Sequence, residues 1–267
     1  MRAFTFRLAA AIGLVGSACG QEPAAAPVGP DAGAIPDAET ATPPAAPQGP
    51  TFVEPAALTT ARARMVIEQI QRRGVNDSRV LTAMRDIPRH EFMPPDVRDT
   101  AYDDRAIAVG YGQTISQPYI VAFMTQELGL KPESRVLEIG TGTGYQTAVL
   151  AELVKEVYTI EIVEPLGRQA AETLGRLGYR NVHTRLGDGY RGWQEAGPFD
   201  AIIVTCAPHA IPPPLVEQLA EGGTMIIPVG PQGEPQNLVL LKKSGGRMEE
   251  RKLLPVVFVP MTGEAKE

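Results

Sequence analysis

The sequence predicts an α/β fold: a doubly wound, mostly parallel seven-stranded sheet preceded by an N-terminal helical cap. Three observations carry this reading. From Pro118 onward, apolar strand-like runs alternate with helical stretches. One run, Val136-Leu137-Glu138-Ile139, passes directly into Gly140, Gly142 and Gly144 and then into a helix. Two acids, Glu161 and Asp188, close the next two strand candidates, at the carboxyl ends where such sheets bind ligands.

Taken in order, Ala61 to Gln71 carries apolar residues near helical spacing, and Gly74 ends it. Ser78 to Met84 reads as a second short helix. Pro88, Pro94 and Pro95 then break the chain into turns, and a loop-rich segment leads through Asp103 and Asp104 to Gly110-Tyr111-Gly112. A helix begins after Pro118 and runs toward Gly129. The strand candidates are Arg135 to Ile139, Val157 to Glu161, Val182 to Leu186, Phe199 to Thr205, Thr224 to Val229, Leu238 to Lys242 and Leu253 to Val259. Helical stretches lie between them at Gln146 to Val154, Pro165 to Leu177 and Pro214 to Ala220.

Ahead of this region the chain has a different character. Arg2 and Arg7 precede the apolar run Leu8 to Ala18, and Cys19 follows small residues, the pattern of an export signal. The run is too short to span a bilayer. Ser17-Ala18-Cys19 resembles the end of a bacterial lipoprotein signal, in which the cysteine is lipidated. From residue 20 to 57 Ala and Pro dominate, with almost no large apolar residue to offset the entropy of ordering. The expected organisation is a leader over 1–19, a disordered tether over 20–57 and one catalytic domain over 58–267.

A net charge of -6 argues against a nucleic-acid partner, because phosphate binding draws on clustered Lys and Arg. Cys19 and Cys206 sit in unlike settings, which argues against a disulfide framework. His90, His183 and His209 have no ligand spacing, so no metal is expected. Without sustained heptads, the expected state is a monomer.

The spacing Gly140-x-Gly142-x-Gly144 is not the dinucleotide fingerprint, since Tyr145 stands where its third glycine would be. Glu161 falls about twenty residues beyond the loop, where a carboxylate accepts ribose hydroxyls. Asp188, in Gly187-Asp188-Gly189, is placed to bond an adenine amino group, and no P-loop lysine motif occurs. Together these features read as one site for an adenosyl cofactor.

The block Gly112-Gln113-Thr114-Ile115-Ser116-Gln117-Pro118 resembles the protein-L-isoaspartate (D-aspartate) O-methyltransferases. The resemblance continues through Val136 to Gly144, Gly187-Asp188-Gly189, Pro198 to Thr205, Gly222-Gly223, Pro228-Val229-Gly230 and Phe258-Val259-Pro260. It implies a Rossmann-like methyltransferase fold, S-adenosyl-L-methionine as cofactor and S-adenosyl-L-homocysteine as product. It implies that Ser116 is the active-site residue and that Thr114 and Ile115 belong to the substrate loop. Cofactor contacts are implied at Gln117, Glu138, Gly140, Thr141, Gly142, Gly144, Glu161, Asp188 and Gly189. Read from position alone, Ser116 also suits a cap for the helix that follows.

The implied acceptors are isoaspartyl residues, with D-aspartyl residues beside them, in damaged proteins and peptides. Esterification initiates repair through a succinimide. Two other readings stay open at the level of sequence: the same cofactor pocket serving a different acceptor, and a non-catalytic envelope binding module. Location is open as well. The leader predicts a bacterial envelope lipoprotein tethered through Cys19, whereas the family's habit and the supply of cofactor point to the cytoplasm.

Overall fold

A computed structural model describes residues 54–264. The leader over 1–19 and most of the expected tether lie outside them. The last tether residues do not: helix α1 spans Ala56–Met65, so the folded part begins earlier than residue 58. The chain is tied down there by Glu54, whose carboxylate accepts a two-pronged bond from the Arg62 guanidinium. A proline at 55 supplies no apolar signal, which is why composition alone placed the boundary too late.

Helix α1 continues through a π-helical turn, Val66–Ile70, and a short 3-10 turn that stops at Gly74, φ +96°. Helix α2, Ser78–Asp86, is capped by the Asp77 side chain, which accepts from the Arg79 amide at 2.9 Å. It buries Val80, Leu81, Ala83 and Met84. The segment read as loop before the glycines contains a hairpin, β1 (Ile107–Gly110) and β2 (Gln113–Ile115). Its turn, Gly110-Tyr111-Gly112, has three positive φ values in a row. Strands of four and three residues are too short to display an alternation.

The main sheet has the order β5-β4-β3-β6-β7-β8-β9. Its strands are β3 (Arg135–Ile139), β4 (Glu156–Glu161), β5 (Val182–Leu186), β6 (Phe199–Val204), β7 (Leu219–Val229), β8 (Gln236–Ser244) and β9 (Arg247–Val256). Pairs from β5 through β7 are parallel, and β8 and β9 are antiparallel additions. Helices α3 (Pro118–Glu127), α4 (Tyr145–Ala151), α5 (Glu164–Arg176) and α6 (Pro213–Gln218) complete the fold. Alternate residues of the central strands feed two cores. Val136, Ala201 and Ile203 pack with the N-terminal helices, whereas Leu137, Ile139, Ile202 and Val204 face the other side with Leu215 and Met225. Burial on both faces explains the near-continuous apolar runs.

After β3 the chain adds β4 and β5 on one side, then returns to place β6 on the other. This reversal opens a crevice at the carboxyl ends of β3 and β6. Among the described residues, no helix is long and apolar enough to cross a membrane.

Candidate active site

The crevice floor is the loop between β3 and α4. Gly140 (φ +94°) leaves the strand with its amide donating to the Ile160 carbonyl at 2.9 Å. A Cβ at Gly140 would overlap the Thr205 hydroxyl. That hydroxyl donates to the Ile139 and Gly140 carbonyls, at 2.9 and 2.7 Å, and fastens the loop to the end of β6. Gly142 (φ +57°) lines the crevice, and a Cβ there would meet no atom within 4 Å. Its bare backbone therefore leaves room that a side chain would fill.

Glu161 ends β4 and is 6% exposed. Its two oxygens accept from the Gly142 amide at 2.7 Å and the Val163 amide at 2.9 Å. The carboxylate shapes the glycine loop and still keeps lone pairs for hydroxyl donors. Thr141 and Gly189 also line the crevice, and a Cβ at Gly189 would collide with Ile139.

A second cavity adjoins the first, lined by Ala106, Ile120, Pro235 and the run Pro255 to Phe258. Thr114, Ser116 and Thr205 line both cavities. The Thr205 hydrogen is committed to backbone carbonyls, which leaves Thr114 and Ser116 to meet ligands. Ser116 does not cap α3: the cap position is Gln117, and no side chain caps that helix. Ile115 lines the first cavity and is buried.

Four residues expected among the cofactor contacts are not among those that line the first cavity. Gln117 lines only the second cavity, and its amide nitrogen donates to Asp104 Oδ1 at 2.7 Å. Glu138 is fully buried beneath the glycine loop. One of its oxygens accepts from the Thr147 and Thr159 hydroxyls, at 2.5 and 2.7 Å, and Thr159 in turn meets the Thr141 hydroxyl at 2.7 Å. Burial pushes this carboxyl up to about 8; the two threonine bonds oppose the shift and the nearby Glu161 charge adds to it. Gly144 (φ +89°) starts α4 and packs against Leu174 behind the crevice. Asp188 accepts from the Tyr190 amide at 2.9 Å and from the Glu264 amide at 2.8 Å, turned toward the end of the described chain.

Several residues without a sequence-based role also belong here. Val259, Pro260, Met261 and Thr262 line the cofactor side of the site, held by backbone bonds to Ala207. Thr205 is the second omission. Thr205, Val259 and Pro260 fall within blocks that carry the family resemblance, but neither a strand-end threonine nor the closing segment shows its place locally until the fold brings them together. Cys206 lines the crevice as well, and burial pushes its thiol up to about 12, far from a reactive thiolate.

Neither cavity is lined by Lys, Arg or His among the described residues, and no group there could hold a metal. Such walls do not suit a phosphate. They suit an uncharged or cationic ligand that offers hydroxyls to Glu161. A Rossmann-like sheet with this glycine-loop crevice and an adjoining second cavity defines a methyltransferase of the S-adenosylmethionine-dependent class.

The comparisons with known proteins narrow this class. The family model for protein-L-isoaspartate(D-aspartate) O-methyltransferase (PCMT) matches residues 61–266, and the chain belongs to that family. It is 59% identical over 208 residues to the protein-L-isoaspartate O-methyltransferase of Opitutus terrae, covering 78% of this chain and 89% of that protein. Against the Picosynechococcus sp. protein of the same name, identity is 53% over 204 residues, covering 76% and 91%. A solved beta-aspartate methyltransferase (PCMT) from Plasmodium falciparum, in complex with S-adenosyl-L-homocysteine, superposes with a TM-score of 0.67. Its identity is 28%, covering 75% of this chain and 98% of that one.

Proposed function

We propose that this protein transfers the methyl group of S-adenosyl-L-methionine to the free carboxylate of L-isoaspartyl residues, and of D-aspartyl residues, in damaged proteins and peptides. The placing of Thr114 and Ser116 between the cofactor crevice and the second cavity carries this reading. The cofactor supplies a methyl group on a sulfonium sulfur. Gly140 to Gly142 and Gly189 would hold it against the backbone, and Glu161 would accept its hydroxyls.

A carboxyl acceptor, with an ordinary pKa near ~4, is ionised at neutral pH and needs no base. The walls agree, since neither cavity offers a histidine or lysine. What the chain provides is alignment and exclusion of water, and positioning of this kind contributes roughly 7–11 kcal/mol. Ser116 and Thr114 present hydroxyls that orient the carboxylate, while Pro235, Pro255, Val256 and Phe258 exclude water around it. The ester formed closes to a succinimide outside the protein's control.

The direct test supplies labelled S-adenosylmethionine to the full chain with an isoaspartyl peptide and its aspartyl twin. Transfer to the isoaspartyl peptide alone, reduced about a hundredfold or more in Ser116→Ala, is expected. Cofactor binding without transfer to either peptide would instead point to another acceptor or to a binding role.

We further infer that the leader ending at Cys19 exports the protein in a bacterial host, with the lipidated cysteine as anchor and the Ala/Pro-rich stretch as tether to a monomeric domain. The charged start, apolar run and small residues before Cys19 support this. Labelled palmitate should enter the wild-type chain and not Cys19→Ser; an unlabelled wild type found in the soluble fraction would overturn the lipid anchor.

A further inference from the structure

Arg89 lies in the short 3-10 turn Arg89–Phe92 of the N-terminal cap, and none of it reaches solvent. Among the described residues no carboxylate pairs with it. Its Nε donates to the Ala101 carbonyl and its Nη2 to the Ser116 carbonyl, both at 2.8 Å. The guanidinium carbon lies 4.8 Å from the centre of the Tyr145 ring. Tyr145 opens α4 and lines the cofactor crevice. One side chain thus touches the cap, the segment bearing Ser116, and the helix that follows the glycine loop.

Burial pulls the guanidinium down to about 10, which leaves it charged at neutral pH. A buried cation without a counter-ion is costly, and an apolar side chain of similar length would fill the space without that penalty. What an apolar residue cannot do is hold two carbonyls at a fixed separation. Lysine cannot do so in the same way either, because it brings one nitrogen instead of a planar fork. The held segment needs such an anchor. Strand β2 is three residues long and pairs only with β1, so the sheet does not fix its far end.

We propose that Arg89 is a positioning residue for the acceptor: its fork sets the Ser116 carbonyl against α4 and thereby fixes where the Ser116 hydroxyl stands between the two cavities. This rests on the carboxyl methylation proposed above. It has a second consequence. A permanent positive charge behind Ser116 favours an anionic acceptor, but the reaction neutralises that anion, so the benefit falls on binding and not on the chemical step. Loss of Arg89 therefore raises the acceptor KM more than it lowers kcat.

The test compares wild type, Arg89→Met and Arg89→Lys as full chains. S-adenosylhomocysteine affinity is expected to stay within about threefold of wild type, while the KM for an isoaspartyl peptide rises about tenfold or more in Arg89→Met and less in Arg89→Lys. Amide hydrogen exchange gives a readout independent of turnover: with S-adenosylhomocysteine bound, protection over residues 113–117 should drop about tenfold, with residues 140–144 unchanged. Should Arg89→Met fail to fold, Arg89→Lys carries both measurements. An acceptor KM within about twofold of wild type, a matching loss of cofactor affinity, or unchanged protection over 113–117 would overturn the assignment. If wild type methylates no isoaspartyl peptide, the functional reading fails, and the exchange data still decide whether Arg89 anchors the segment.

Discussion

Gly140 and Thr205 meet so closely that the glycine has no room for a Cβ, and the threonine hydroxyl bonds the glycine's own carbonyl at 2.7 Å. The end of β6 is thereby locked to the first turn of the cofactor loop. Gly140→Ala would combine this overlap with a side chain at φ +94°, a backbone strain of about 1–3 kcal/mol by itself. We expect a lower Tm and at least a tenfold loss of S-adenosylhomocysteine affinity by calorimetry. Thr205→Ser, which keeps the hydroxyl, should lose far less than Thr205→Val.

Glu161 accepts from two backbone amides while facing the crevice. Glu161→Gln turns one acceptor into a donor facing an amide N–H, and leaving such a group unpaired costs about 1–3 kcal/mol. Cofactor affinity should fall ten- to a hundredfold in titrations, with the acceptor KM nearly constant. An equal rise in that KM would show that the residue serves the whole site.

The buried Glu138 carboxyl, raised from 4.5 to about 8, makes a prediction about pH. Between these values the folded state keeps a proton that the unfolded chain releases. Its stabilising share is therefore fully present below about pH 4.5 and is lost as pH rises through 8. Glu138→Gln removes this dependence while keeping an oxygen for Thr147 and Thr159. The Tm of the variant relative to wild type should climb from pH 5 to 8, by about 2–4 °C for each kcal/mol recovered. A difference that stays flat with pH would mean that Glu138 is ionised throughout.

Gly263 has φ +93°, and a Cβ there would strike the Asp188 carboxylate, which also accepts the Glu264 amide. This contact latches the segment that lines the cofactor crevice from Val259 to Thr262. Gly263→Ala should unfasten it and speed S-adenosylhomocysteine release several-fold in stopped-flow displacement, with little change in Tm. An unchanged release rate would show that the segment does not limit exit.

The centre of the sheet was legible because β3 and β6 are buried on both faces, which leaves continuous apolar runs that length and flanking residues mark as strands, whereas the outer strands β5 and β9 are largely exposed. The glycine loop and Glu161 were legible for a local reason: backbone conformation and strand-end position follow from neighbours in sequence. Ser116 is singled out only by the resemblance, since nothing local separates it from a helix cap. The β1–β2 hairpin was missed because its strands are shorter than any period can reveal.

Sequence alone determined the fold class, the cofactor loop and the unlike character of the N-terminal stretch, because these depend on composition and on patterns within a few residues. Tertiary structure decided which side chains share the site. It set Glu138 beneath the loop and Asp188 against Glu264, moved Gln117 to the second cavity, and brought Thr205, Arg89 and the Val259–Thr262 segment to Ser116 and the glycines. Those choices are made by contacts between residues tens of positions apart, and the energies that settle them, burial and satisfied hydrogen bonds, exist only once the chain has closed on itself.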